Sequence, residues 1–155
     1  MKTKTFLIVL LLTGIFWNCG RQCILPKEVI GTGEIVSNAL VPHPEKIPLN
    51  LQNGNFCIRE DSLNIYNLQV SFDGGNYYEA IDFSKYTVLG KYANGGGCSV
   101  VYERNVSKNI SNKKILYNIT VHQCGYCDMY SECMNWVLVP KIPEDYSIEY
   151  KVIKK

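Results

Sequence analysis

From Ile81 to the C-terminus the chain alternates apolar and polar positions, and this period of two is its strongest structural signal. "KKILYNITVHQC" places Ile115, Tyr117, Ile119 and Val121 on one side, and "YSIEYKVI" does the same with Ile148, Tyr150 and Val152. Residues two apart share one face of a strand, so both sets predict core-facing rows. "YTVLGKY" and "CSVVYERNV" read as two further strands joined by the turn "ANGGG". "MNWVLVPKIP" is a near-continuous apolar strand, closed by Pro140 and Pro143.

Upstream the rhythm weakens. "EVIGTGEIVSNALV" has the β-branched content of a strand interrupted by Gly31 and Gly33, and the proline-rich "PHPEKIPL" predicts an irregular connection. In "FCIREDSLNIYNL", Asp61 or Ser62 can cap a short helix, but Leu63, Ile65, Tyr66 and Leu68 have mixed spacing that leaves helix and strand open. "SFDGGNYYEAIDF" holds an Asp-Gly-Gly turn, as a hairpin or a loop. The expectation is an α+β fold: a mainly antiparallel β-sheet domain with at most one or two short helices, stabilised by disulfides.

The N-terminus follows a different pattern. Lys2 and Lys4 precede an apolar run from Phe6 to Trp17, shorter than the roughly 20 residues a membrane-spanning helix needs. This is the layout of a secretory signal peptide. The run stops at Cys19 without a small-x-small cleavage site. It therefore resembles the lipoprotein signals of Gram-negative bacteria, in which the cysteine is acylated with palmitate-type chains and becomes the first residue of the mature protein. Bulky Phe16 and Trp17 suit the looser signals of Bacteroidota type; a conventional secreted protein cut nearby is the alternative. The expected organisation is a signal peptide over 1–18, a lipid-anchored tether over 19–27 and a single envelope domain over 28–155. Such a protein is exported and held on the outer membrane.

Export changes how the cysteines are read. The chain has seven, and an odd cysteine in an exported protein needs an explanation. Setting aside Cys19 for lipid leaves Cys23, Cys57, Cys98, Cys124, Cys127 and Cys133, an even set suited to a disulfide framework. A hairpin of "CSVVYERNV" with "KKILYNITVHQC" that sets Val101 against Val121 also sets Cys98 against Cys124, within disulfide range. Cys127 with Cys133 and Cys23 with Cys57 would complete the set. Two other chemistries fit "HQCGYCDMYSEC" less well. Zinc would take His122, Cys124, Cys127 and Cys133, but structural zinc sites join two separated clusters. A thiol-disulfide oxidoreductase would use Cys124 and Cys127, but needs that pair to open a helix, which stabilises the thiolate.

Composition narrows the function further. Loss of Lys2 and Lys4 takes the 16 Lys and Arg to 14, equal to the 14 Asp and Glu. A neutral mature chain gives no electrostatic case for nucleic acid. The pairs Glu60 with Asp61 and Glu144 with Asp145 are adjacent in sequence and point apart, so no acid-base constellation emerges. The turn Asn94, Gly95, Gly96 and Gly97 lacks the spacing of a phosphate cradle; it reads as a plain turn or as a binding edge that a partner backbone approaches closely. Asn105, Asn109 and Asn118 match glycosylation acceptors, and Asp61-Ser62-Leu63 resembles an O-glycosylation signal, all with low specificity. Neither a cofactor nor a metal is expected.

"IDFSKYTVLGKYANGGGCSV", the alternating strand after it and the closing "WVLVPKIP" resemble the domain at the C-terminus of PrcB-type lipoproteins, over about residues 80–143. Asp82 to Lys85 match that family's Asp-Phe-Ser-Lys start. "NGGGCS" departs from its usual Thr-Gly-Gly-Tyr-Ser, with Asn94 in place of Thr and Gly97-Cys98 in place of Tyr. The resemblance implies a small, surface-anchored, non-catalytic interaction module that stabilises or accompanies an exported protease.

Overall fold

A computed structural model describes residues 25–26, 31–40, 54–60, 69–70 and 78–155. These residues form ten strands: β1 (Thr32–Gly33), β2 (Ser37–Leu40), β3 (Asn55–Ile58), β4 (Gln69–Val70), β5 (Glu79–Ala80), β6 (Tyr86–Gly96), β7 (Ser99–Asn109), β8 (Lys114–Cys124), β9 (Tyr130–Pro140) and β10 (Ser147–Lys154). They make two sheets, one ordered β1-β7-β8-β10 and the other β3-β6-β9-β2-β4-β5. Strand pairing is mainly antiparallel, and there is no helix among the described residues. The α+β expectation rested on a helix at 61–68, which lies outside them, as do the proline-rich connection and the Asp-Gly-Gly turn.

The alternating rows do what their periodicity predicts. Ile115, Tyr117, Ile119 and Val121 of β8 are all buried. They face Leu89 and Ala93 of β6 and Val137 and Val139 of β9 across the gap between the sheets. Ile148, Tyr150 and Val152 of β10 close the same layer. At its centre Tyr117 is wholly buried; its hydroxyl donates to the Asn135 carbonyl at 3.0 Å, and its ring meets Tyr150 edge-on at 6.0 Å. Burial pushes the Tyr117 phenol well above its ordinary pKa.

The apolar run in β9 has a different origin. Val137 and Val139 point into the layer between the sheets, while Trp136 and Leu138 pack on the opposite face with Val88, Phe56, Ile58, Ala39 and Val70. A strand buried on both faces loses its alternation. Gly90 lies between Phe56 and Trp136 in the ladder, and the two rings meet above it at 5.1 Å.

Three sequence expectations are corrected by this topology. "EVIGTGEIVSNALV" is not one interrupted strand: β1 lies on the edge of the first sheet and β2 within the second. The crossing is fixed by Glu34 N–H donating to Val106 O at 2.8 Å and Val36 N–H donating to Leu138 O at 2.9 Å. Gly33, at φ +76°, brings its backbone so near Val106 O that a Cβ there would lie 2.0 Å away. Secondly, β6 and β7 are not a hairpin, because they belong to different sheets. Asn94, Gly95 and Gly96 are strand residues paired with Glu132, Ser131 and Tyr130. Thirdly, β10 runs parallel to β8. The chain leaves β8, traverses the second sheet as β9 and re-enters the first in its original direction.

The Asp-Phe-Ser-Lys segment is the turn that launches β6. Asp82 Oδ1 accepts from Ser84 N–H at 3.0 Å and from Ser84 Oγ at 2.5 Å, and Lys85 Nζ lies 3.0 Å from Asp82 Oδ2. Hydrogen bonds from the Ser84 side chain, then Lys85, hold the Asp82 carboxyl down at about 2.

Candidate functional site: a disulfide-stapled apex

The chain changes sheet twice at one end of the molecule: between β6 and β7 at Gly97-Cys98, and between β8 and β9 over residues 125–129. A Cys98–Cys127 disulfide joins these two corners, with Cα atoms 4.7 Å apart. The backbone reinforces it: Cys98 N–H donates to Cys124 O at 2.6 Å, Gly97 N–H to Met129 O at 3.1 Å, and Cys127 N–H to Cys98 Sγ at 3.2 Å. Gly97 and Gly125 both have positive φ, at +116° and +81°. At Gly125 a Cβ would sit 2.5 Å from Cys98 Sγ, so a side chain and the staple compete for one space.

This pairing replaces the expected framework, and the cause is a one-residue shift in register. β7 and β8 pair Ser99 with Cys124, Val101 with His122 and Tyr102 with Val121. The expected register would have set Val106 opposite Leu116 on the outer face. Burying Val106 opposite Tyr117 requires the observed one, because a slip of one residue turns every side chain over. Cys98 therefore passes Cys124 and meets Cys127. Cys124 is also disulfide-bonded.

Neither Cys127–Cys133 nor Cys23–Cys57 forms. Cys57 keeps a half-buried thiol on β3, facing the core with Leu89 nearby, and burial raises its pKa despite Arg59 and Lys141. Cys133 keeps an exposed thiol that donates to Met134 O at 3.3 Å. Maleimide is therefore expected to label Cys133 within minutes and Cys57 only as the domain opens, a contrast that timed labelling and peptide mass analysis will read; equal rates would contradict the burial of Cys57.

The other predicted site residues separate. His122 Nε2 lies 2.8 Å from Glu103 Oε2 on the outer face of the first sheet, away from the staple sulfurs. Cys124 and Cys127 are not bonded to each other, and the residues after them form β9 instead of a helix. No group of three or more His, Cys, Asp or Glu able to hold a metal lies among the described residues. Asp145 is committed to Lys113 at 2.7 Å, while Asp61 lies outside the described residues. Asn105 donates to Thr32 Oγ1 at 2.7 Å, and Asn109 Oδ1 accepts from Asn112 N–H. Cys19 and Cys23 lie outside the described residues, among which no helix is long and apolar enough to cross a membrane.

Asn94 to Gly97 lie at the end of β6 and the corner after it, with Gly95 buried and the other three half-buried. Gly95 faces inward, where a Cβ would come 2.9 Å from Val100 and Val121. Gly96 N–H donates to Gln123 Oε1 at 2.8 Å, and Asn94 Oδ1 accepts from Lys154 Nζ at 2.6 Å. What the apex displays is Tyr126, Met129 and Tyr130, with relative exposures of 109 %, 63 % and 66 %. The Tyr92 hydroxyl donates to Glu132 at 2.6 Å and the Tyr102 hydroxyl to Ser131 O at 3.1 Å, bracing the start of β9 below them. None of these three residues was singled out by the sequence. The available signal was three large apolar residues in a segment too short and glycine-broken to be a core strand.

The described residues thus define a two-sheet β domain whose inter-sheet corners are joined by a disulfide beside exposed Tyr126, Met129 and Tyr130. Comparison of the chain with family models, with curated proteins and with solved structures finds no match.

Proposed function

We propose that this is a lipid-anchored protein of the bacterial envelope, acylated at Cys19, that acts as a non-enzymatic interaction module. Its partner is an exported protease or another surface complex, as the resemblance to PrcB-type lipoproteins implies. The observation that carries the reading is the display of Tyr126, Met129 and Tyr130 on a cross-linked corner. Fully burying one such side chain against a partner contributes about 1.5–3 kcal/mol. A corner already held by a disulfide loses little further freedom when it binds, so more of that gain survives as affinity. Aromatic residues and Met are also the types enriched at the cores of protein interfaces.

The test is parallel capture from native envelopes with the full chain, a Tyr126→Ala/Met129→Ala variant, and an Ile110→Ser control; Ile110 is an exposed residue just after β7, at the other end of that strand. A defined partner that is lost with the apex variant and retained with the control is the expected result. Equal recovery by all three would overturn the apex as the contact surface.

A further inference from the structure

β10 ends its sheet, and among the described residues no strand pairs with its outer side. Ser147 N–H donates to Lys113 O, Lys155 N–H donates to Val121 O, and Lys155 O accepts from Gln123 N–H. The odd-numbered residues thus turn their backbone groups to β8, and Ile148, Tyr150, Val152 and Lys154 turn theirs to the open side. Such a row is a template for another strand unless shortness, proline or a bulge blunts it. β10 has none of these: it runs eight residues without proline, in unbroken register with β8. The other strands that end a sheet, β1, β3 and β5, have two, four and two residues. β3, which lies across from β10, is further engaged, because its Phe56 carbonyl accepts from the Tyr150 hydroxyl at 2.5 Å.

We propose that this edge pairs with the same edge of a second copy of the chain, antiparallel about a two-fold axis at Tyr150, so that the two sheets become one. The side chains select that register. Glu149 of each copy stands opposite Lys151 of the other on the solvent face, so two ion pairs form across the junction. Glu149 then lies between Lys114 of its own chain, which it already contacts, and Lys151 of the other. On the core face Ile148 stands opposite Val152, and half-buried Tyr150 opposite Tyr150, so the apolar row crosses the junction unbroken. The backbone agrees, since residues with outward-directed groups meet residues of the same kind. Ile148, Tyr150 and Val152 then make about six bonds to the second strand. Moving the axis by one residue sets Glu149 against Glu149 or Lys151 against Lys151, and like charges directly opposite oppose pairing.

An extended segment of some other protein would find the same backbone row, but a second copy also matches the charges and the apolar row of β10, and in an isologous junction each match counts twice. Two-fold pairing reverses the second strand. The corners that carry Tyr126, Met129 and Tyr130 therefore lie at opposite ends of the joined sheet, and a partner bound at one leaves the other open.

Sedimentation of the full chain in excess detergent tests the pairing. A concentration-dependent dimer is expected, with amide exchange at Ile148, Tyr150 and Val152 slowing as it forms, while Glu149 and Lys151, bonded to β8, stay slow throughout. Glu149→Lys and Lys151→Glu each place like charges across the junction, and each is expected to weaken self-association at least about tenfold. Mixed in equal amounts, the two variants put a lysine opposite a glutamate at both positions, so heterodimers are expected at about the parental affinity. Mixing would not reverse misfolding, which separates the charge effect from a damaged fold. A monomer at every concentration, a dimer indifferent to both reversals, or one not recovered on mixing overturns the proposal. Slow exchange at Ile148, Tyr150 and Val152 in a monomer would mean that another segment covers the edge, and overturns it too.

Discussion

Replacing Cys98 and Cys127 together by serine is expected to lower unfolding stability by about 3–4 kcal/mol, read as a fall in the urea midpoint together with a steeper slope, because the unfolded chain without the cross-link is less compact. The bond closes a loop across a sequence separation of 29 residues, and losing that constraint on the unfolded chain gives this magnitude. Against a typical total of about 5–15 kcal/mol, it is a large share for one bond. The double change is the informative one, because a lone thiol at 98 or 127 would sit beside the Cys124 disulfide and exchange with it. A local effect accompanies the global one. Cys127 N–H loses its sulfur acceptor, and the Gly97 N–H to Met129 O contact loses the cross-link that holds its two corners together. Hydrogen exchange at Gly97 and Cys127 is expected to rise well above that of Ile119 in the core of β8, and partner capture to fall even where the domain stays folded. A stability loss below about 1 kcal/mol would mean that the surrounding hydrogen bonds alone define the apex.

What could be read from the sequence, and what could not, divides along a physical line. Ile115 to Val121 and Ile148 to Val152 were legible because a period of two reports directly which face is buried. The register of β7 was not, because Val100 and Val101 are adjacent and either can be taken as the inward residue. Choosing the wrong one displaced Cys98 by a single position, and the disulfide assignment followed it. The parallel placement of β10 is set by the passage of β9 through the other sheet, and nothing local in "YSIEYKVI" encodes that passage. "ANGGG" looks like a turn because glycine is common in turns. Here Gly95 answers a different demand, the close approach of Val100 and Val121 where the two sheets draw together. The apex residues were hidden for the simplest reason. Tyr126, Met129 and Tyr130 have the composition of a core, and only the positions of the two corners put them outside.

The second large effect is expected at the row Phe56, Gly90 and Trp136. Trp136→Ala removes a side chain that is 6 % exposed and should cost about 3–5 kcal/mol. The more discriminating variant is Gly90→Ala, which adds a single carbon. A Cβ there would lie 2.1 Å from Trp136 Cζ3 and 2.3 Å from Cε3, so the ring must move. It has little room, because Phe56 meets it at 51° and the ladder fixes the backbone of Gly90 on both sides. A loss of about 3 kcal/mol is expected, at the upper end for overpacking by one carbon. Elsewhere in a strand, glycine to alanine would be neutral or favourable, since alanine restricts the unfolded chain more; the sign of the effect therefore isolates the ring. Combining Gly90→Ala with Trp136→Leu provides the control, since a smaller side chain vacates the space above residue 90. The two changes together should cost at least about 1 kcal/mol less than the sum of each alone in urea unfolding. Strict additivity would show that the glycine is required by the backbone and not by the indole that covers it.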